Sequence, residues 1–379
     1  MPNDTPSLIR PASRRTVLKA GGALALGGAL ALGAAAGLRL ATPAIAQTRS
    51  LKLTLPWLAN GSTLFAYVAK NQGFFKKRGL DVSISRGFGS VAAAQAVGAG
   101  EFDFGFVFAG GVILGAARGL PLVAMGTLGY DATMGIAVRA DSPIKTPKDL
   151  EGKKIGTVPT SAEAPYWPAF AKKAGIDTSG ITMVQMDNRV LEQSVINNQV
   201  DAITAIATSS VPVMMALKQP CRFMLWSKYD VSLYAGQVVA RAETLAKDKE
   251  LCKAVTDALV EGLVYAMNDP EAGVDIFLKE VPEVAITKGG KENTTISQGL
   301  MHYTVVAPEA EQHAIGYTDM AKAAGMVDMV MEYGAPKDAK RPDPATLFTN
   351  QFVSDAGKLS PAQWAAVKKN VAEYAAILG

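Results

Sequence analysis

Histidine and cysteine are scarce in this 379-residue chain, with two of each. His302 and His313 stand eleven residues apart with no cysteine beside them, which is not a metal-ligand spacing, so no metal site is expected. Cys221 and Cys252, 31 residues apart, offer at most one disulfide, and two isolated thiols argue weakly for it. The chain has no G-x-S-x-G, no G-x-x-x-x-G-K-[ST] and no H-E-x-x-H. Gly87-Phe88-Gly89 opens like a dinucleotide fingerprint, but the third glycine is missing from its place. These absences leave a binding role ahead of an enzymatic one, and no cofactor is expected.

An excess of one charge is lacking too, once the N-terminus is set apart. Residues 1–46 hold five basic groups (Arg10, Arg14, Arg15, Lys19, Arg39) and one acid, Asp4; the rest carries 33 basic and 33 acidic residues. The isoelectric point near 8.8 therefore belongs largely to that first segment. No basic field remains to draw nucleic acid or an anionic membrane.

The segment itself reads as an export signal. Arg14-Arg15 precede an uncharged stretch over 20–38, and Ala44-Ile45-Ala46 then offers a small-residue cleavage site before Gln47. The stretch is mostly Ala and Gly, poor in the Leu that holds a span in lipid. The paired arginines point to the twin-arginine route, although Val17 stands where that motif prefers Phe. No cysteine follows to take a lipid. The expected compartment is the periplasm.

Beyond the signal, apolar runs alternate with helical patterns. Strands are expected at 51–57, 81–85 and 102–108, with helices at 64–78 and 91–99 between them. The rhythm returns with strands at 154–158, 182–186 and 201–206 and helices at 165–174 and 191–197. At an offset of 98, Gln95 falls on Gln193, Val97 on Val195, Asp103 on Asp201 and Ala109 on Ala207. One α/β unit built twice predicts two lobes, each a mainly parallel sheet flanked by helices, with a hinged cleft between. Residues 238–240 read as a strand returning from the second lobe. Helices are expected over 249–268, 270–278, 308–324 and 361–378. The first lobe would take 47–137 and 242–379 and the second 138–241, with hinges near 136–141 and 237–242.

Ligands of open α/β sheets bind beyond the carboxyl ends of the strands, where loops diverge. In the first lobe those turns carry Trp57, Asn60 and Ser62, then Phe88, Gly89 and Ser90, then Phe108 and Ala109, then Tyr130 and Asp131. In the second they carry Thr160, Ser161, Tyr166, Trp167, Asp187 and Thr208. Gly, Ser, Thr and Asn serve as caps in any turn, so the signal is their convergence on one rim. The aromatic residues among them favour a flat or apolar solute. Asp131 suits an amine or amidine face, and no lysine lies in these turns.

Several segments bear a family likeness. Asn71-Gln72-Gly73-Phe74-Phe75 with Arg78-Gly79-Leu80-Asp81-Val82, then Ala99-Gly100-Glu101-Phe102-Asp103-Phe104-Gly105, then Asp149-Leu150-Glu151-Gly152-Lys153-Lys154-Ile155-Gly156, and Val200-Asp201-Ala202 span most of 51–241. They resemble the periplasmic solute-binding proteins of the nitrate, sulfonate, taurine and thiamine-precursor ABC importers. The resemblance implies a type II-like two-lobed clamp that closes by a hinge, with permease and ATPase subunits as partners. A monomer binding one small molecule is expected, preferably a thiamine-type pyrimidine and alternatively a sulfonate, taurine-like or other small organic anion. A eukaryotic branch of the same fold family makes that pyrimidine enzymatically through a Cys-rich motif, which this chain lacks.

Overall fold

The computed structural model describes residues 48–378, so the expected export segment lies outside the described residues. Two five-stranded sheets form the frame. The first contains β1 (Arg49–Thr54), β2 (Leu80–Ser85), β3 (Phe104–Phe108) and β4 (Leu122–Thr127), joined by a late strand, β10 (Gly236–Arg241). The second contains β5 (Met134–Arg139), β6 (Lys154–Thr157), β7 (Thr182–Gln185), β8 (Ala202–Ile206) and β9 (Cys221–Leu225). Their orders are β2-β1-β3-β10-β4 and β7-β6-β8-β5-β9. In each sheet a single strand, β10 or β5, runs antiparallel to its neighbours. The central strands β3 and β10 and the far edge strand β4 are apolar and buried almost throughout, whereas edge strand β2 alternates inside and outside.

The helices that follow these strands are α1 (Leu64–Asn71), α2 (Ser90–Gly98), α3 (Ala109–Ala117), α4 (Trp167–Lys173), α5 (Leu191–Ile196) and α6 (Ala207–Ala216). The repeat at an offset of 98 has a physical cause. Lys52 N–H donates to Asp103 Oδ2 at 2.8 Å, and Asp103 N–H returns a bond to the Lys52 carbonyl at 3.0 Å. Lys154 and Asp201 make the same pair of bonds at 2.8 and 2.9 Å. In each lobe one carboxylate thus pins the start of the third strand to the first strand, at Lys52 within β1 and at Lys154 where β6 begins.

The expected boundaries need correction at two strands. Strand β5, most of it expected in the first lobe, pairs in the second sheet, and β10, expected in the second lobe, pairs in the first. Hydrophobic period identifies a buried strand but says nothing of which sheet it joins. The chain crosses between sheets at 128–133 and 230–235, short of the expected hinge segments. These crossings run side by side: Leu128 N–H donates to Gly236 O, Ala132 N–H to Leu233 O and Ala235 N–H to Gly129 O, at 2.8 to 3.0 Å. The rings of Tyr130 and Tyr234 meet edge to face at 5.4 Å.

Helices Lys249–Asn268, Pro270–Glu280 and Pro361–Ile377 agree with expectation. The helix expected over 308–324 is broken: Pro308–Gln312 ends before Gly316, whose φ is +110°, and Met320–Met329 starts afresh behind an Asp319 cap. Helix Gly290–Val305 was not expected, because it buries polar Thr294, Ser297, Gln298, His302 and Thr304 and shows no apolar stripe. Cys221 in β9 and Cys252 in helix Lys249–Asn268 are free thiols, each raised to about 11 by burial.

Candidate ligand cleft

The loop between β1 and α1 is shaped by its own side chains. Asn60 Oδ1 accepts from Ser62 N–H at 3.0 Å and from the Ser62 hydroxyl at 2.7 Å, while Thr63 Oγ1 accepts from Asn60 N–H. Ser62 N–H also donates to Ser297 Oγ at 2.9 Å, and the Ser297 hydroxyl donates to the Thr208 carbonyl at 2.6 Å. Ser297 thereby links the two lobes. At the end of β3, Phe108 N–H donates to Ser90 Oγ at 3.2 Å, fixing the turn into α3.

Other bonds also close the gap between lobes. The Thr160 hydroxyl donates to the Phe88 carbonyl at 2.6 Å, and Tyr166 OH to the Gly110 carbonyl at 3.0 Å. Asn60 Nδ2 and Ser209 Oγ stand 3.5 Å apart. Lys218 Nζ pairs with Glu292 at 2.7 Å on the outside. Two glycines permit this approach. A Cβ at Gly89, where φ is +115°, would lie 1.9 Å from the Thr160 carbonyl oxygen, and one at Gly110 would lie 2.6 Å from Tyr166 OH.

Between the lobes lies a narrow inner chamber walled by Trp57, Phe108, Leu191 and Ile206 with the hydroxyls of Ser62, Ser90, Ser161, Ser209 and Ser210. Its volume is about 40 Å³, room for about three waters. Trp57 and Ser209 separate it from an outer chamber of about 330 Å³, which Asn60, Asn188, Glu192 and Asn293 also line.

The chemistry of the inner chamber centres on Glu163, which is 1% exposed. Its Oε1 accepts from Ser161 at 2.6 Å and from Thr204 at 3.0 Å, whereas its buried Oε2 has no protein partner. Burial raises this carboxyl above the ordinary range, and the nearby Glu192 charge adds to the effect. Glu192 is itself raised by burial and accepts a bond from Ser210 at 2.7 Å. No Lys or Arg lines the inner chamber.

Of the residues singled out in the sequence, Trp57, Ser62, Ser90, Phe108 and Ser161 line the inner chamber and Asn60 the outer. Gly89, Thr160 and Tyr166 sit at lobe-to-lobe contacts, as does the Thr208 carbonyl. The others lie elsewhere. Phe88 is 63% exposed beneath the Arg86 guanidinium, which lies 4.4 Å from its ring centre. Ala109 N–H serves the fold by donating to the Ala235 carbonyl. Trp167 packs on Phe170, and Asp187 is exposed and paired with Arg189 at 2.8 Å. Asp131 belongs to the crossing segment, where it accepts from Thr133 N–H at 2.7 Å and lines a separate cavity beside Tyr303 and Lys368. His302 is buried against another groove, and His313 stacks on Tyr317; neither lines the cleft. Sequence reasoning missed Glu163, although it ends the very turn that supplied Thr160 and Ser161, and missed Glu192 inside α5.

Two sheets of matching topology, two antiparallel crossings and a polar-lined gap define a bilobal binding-protein fold. The periplasmic aliphatic sulphonate binding protein of Escherichia coli has this fold, with a TM-score of 0.62 at 16% identity over 82% of this chain and 96% of that one. Residues 60–273 match the family model described as NMT1/THI5 like, and the chain belongs to that family. A Brucella abortus protein named for binding, with no solute stated, is 26% identical over 81% of this chain and 94% of its own length. The formylaminopyrimidine-binding protein of Halalkalibacterium halodurans is 21% identical over 62% of this chain and 71% of its own.

Proposed function

We propose that this chain is the periplasmic substrate-binding component of an ABC importer, and that it captures a small nitrogen heterocycle of the thiamine-precursor pyrimidine type for delivery to a permease. The observation that carries the reading is Glu163. A buried carboxylate oxygen with no partner is costly unless something in the cleft answers it. The exocyclic N–H of a 4-aminopyrimidine would do so by donating to Oε2. Trp57 and Phe108 supply apolar surface for the ring. A sulfonate fits less well: it would lie beside that carboxylate with only hydroxyls and the first turn of α6 to hold it. The formylaminopyrimidine-binding relative supports the same reading.

Isothermal titration with 4-amino-5-hydroxymethyl-2-methylpyrimidine, taurine and nitrate tests it. The pyrimidine should bind at micromolar concentration or tighter, and Glu163→Gln should weaken it about tenfold or more, as expected for losing a charge-assisted bond. Binding of taurine or nitrate with none of the pyrimidine would sink the assignment.

A further inference from the structure

The cleft holds a second carboxylate, Glu192, half-buried on α5 and without an ion pair among the described residues. Glu192 lines the outer chamber, and the Ser210 hydroxyl that donates to its Oε1 lines the inner one. The two acids therefore flank one continuous space, divided only where Trp57 and Ser209 contribute to both walls. Lys288 is exposed on the outer chamber wall, and no ion pair joins it to Glu192 among the described residues. Asn60, Asn188 and Asn293 complete the polar lining with amides, which can accept as well as donate.

Size separates the roles of the chambers. The inner space suits the edge of a ring, while a substituent must pass Trp57 into the roomier outer chamber. We infer that the solute carries a second basic nitrogen on a short flexible arm, so that a protonated amine reaches Glu192 while the heterocycle edge meets Glu163. The inference rests on the pyrimidine reading above and narrows it to an aminomethyl-type solute. Two acids flanking one space repel, and a protonated amine on the solute's arm relieves that repulsion. A neutral hydroxyl arm or an acylated, uncharged nitrogen satisfies Glu192 less well, and a phosphorylated arm would be repelled by it.

The test is a ligand series on the unmodified protein. Calorimetry near pH 7 would compare 4-amino-5-aminomethyl-2-methylpyrimidine with its 5-hydroxymethyl counterpart, its N-formyl derivative and the hydroxymethyl phosphate. The aminomethyl compound should bind about tenfold or more tightly than the others, the worth of one charge-assisted bond. Glu192→Gln should erase that margin, so that the aminomethyl and hydroxymethyl compounds bind within about threefold of one another. Equal affinities across the series, tighter binding of the formyl or phosphate compound, or a margin that persists in Glu192→Gln would overturn the inference and leave the pyrimidine assignment standing. Failure of every pyrimidine in the wild-type protein would overturn both.

Discussion

Replacing Gly89 by alanine should impair closure of the clamp far more than it impairs folding. Gly89 precedes α2 with φ +115° and ψ 149°, a region that L-residues rarely occupy. Holding alanine there costs about 1–3 kcal/mol whether the lobes are open or shut. The second effect belongs to the closed form alone. The added Cβ would sit 1.9 Å from the Thr160 carbonyl oxygen, and Thr160 belongs to the other lobe. Restoring ordinary contact requires the lobes to part by about 1.5 Å at this point. That displacement breaks the 2.6 Å bond from the Thr160 hydroxyl to the Phe88 carbonyl, worth about 0.5–1.5 kcal/mol, and lets water into the inner chamber.

Solute affinity should therefore fall by about ten- to a hundredfold, or roughly 1.4–2.7 kcal/mol. Gly119→Ala is the control, since φ there is +89° but nothing lies within 4 Å of the new Cβ. It should lower Tm in a similar way and leave affinity unchanged. Calorimetry measures the affinities, and small-angle scattering with saturating solute measures closure. Should Gly89→Ala bind as tightly as Gly119→Ala, the Gly89–Thr160 contact would not belong to the solute-bound state and the argument fails.

Two further outcomes are expected. Asp131→Asn should leave solute affinity within about twofold and stability nearly unchanged, because the amide oxygen can still accept from Thr133 N–H in the crossing segment; a large loss by calorimetry would return Asp131 to the site. The solute-free protein should lose stability as pH rises above the ordinary carboxylate range. Glu163 and Glu192 titrate higher when folded than when unfolded, so the folded state holds the extra protons in that window; each contributes full stability below it and loses up to about 1.4 kcal/mol per pH unit within it. Thermal melts from pH 4.5 to 8 should show this slope flattened in the Glu163→Gln, Glu192→Gln double variant. An unchanged slope would refute it.

Much of the frame was legible because each sheet is built from local βαβ units whose strands and helices announce themselves by period. The coincidence of Asp103 with Asp201 proved to be a shared hydrogen-bonded device. What stayed hidden was non-local. β5 and β10 look like any buried strands, yet each pairs in the sheet opposite to the one its chain neighbours suggest. Helix Gly290–Val305 was hidden for a different reason. It packs Ser297 against the loop at Ser62 and the carbonyl of Thr208, so its buried face is polar and its sequence shows no amphipathic stripe.

The cleft was legible to the extent that its residues sit in turns. Trp57, Ser62, Ser90, Phe108 and Ser161 come from strand ends, where the fold places a site whatever the ligand. Asp131 was favoured as an acid in such a turn, but its turn forms the crossing itself, and its carboxylate is used by Thr133 N–H. Glu163 and Glu192 were passed over because an acid in a turn or on a short helix ordinarily faces water. Only the closed arrangement shows otherwise, with β8 bringing Thr204 to Glu163 and α6 bringing Ser210 to Glu192. The fold is thus shared with sulfonate- and nitrate-binding proteins, and the proposal of a different solute rests on the acid at the centre of the gap. Of the two acids, Glu163 is the one the scaffold buries with an oxygen left unpartnered, whereas Glu192 keeps partial exposure and the Ser210 hydroxyl.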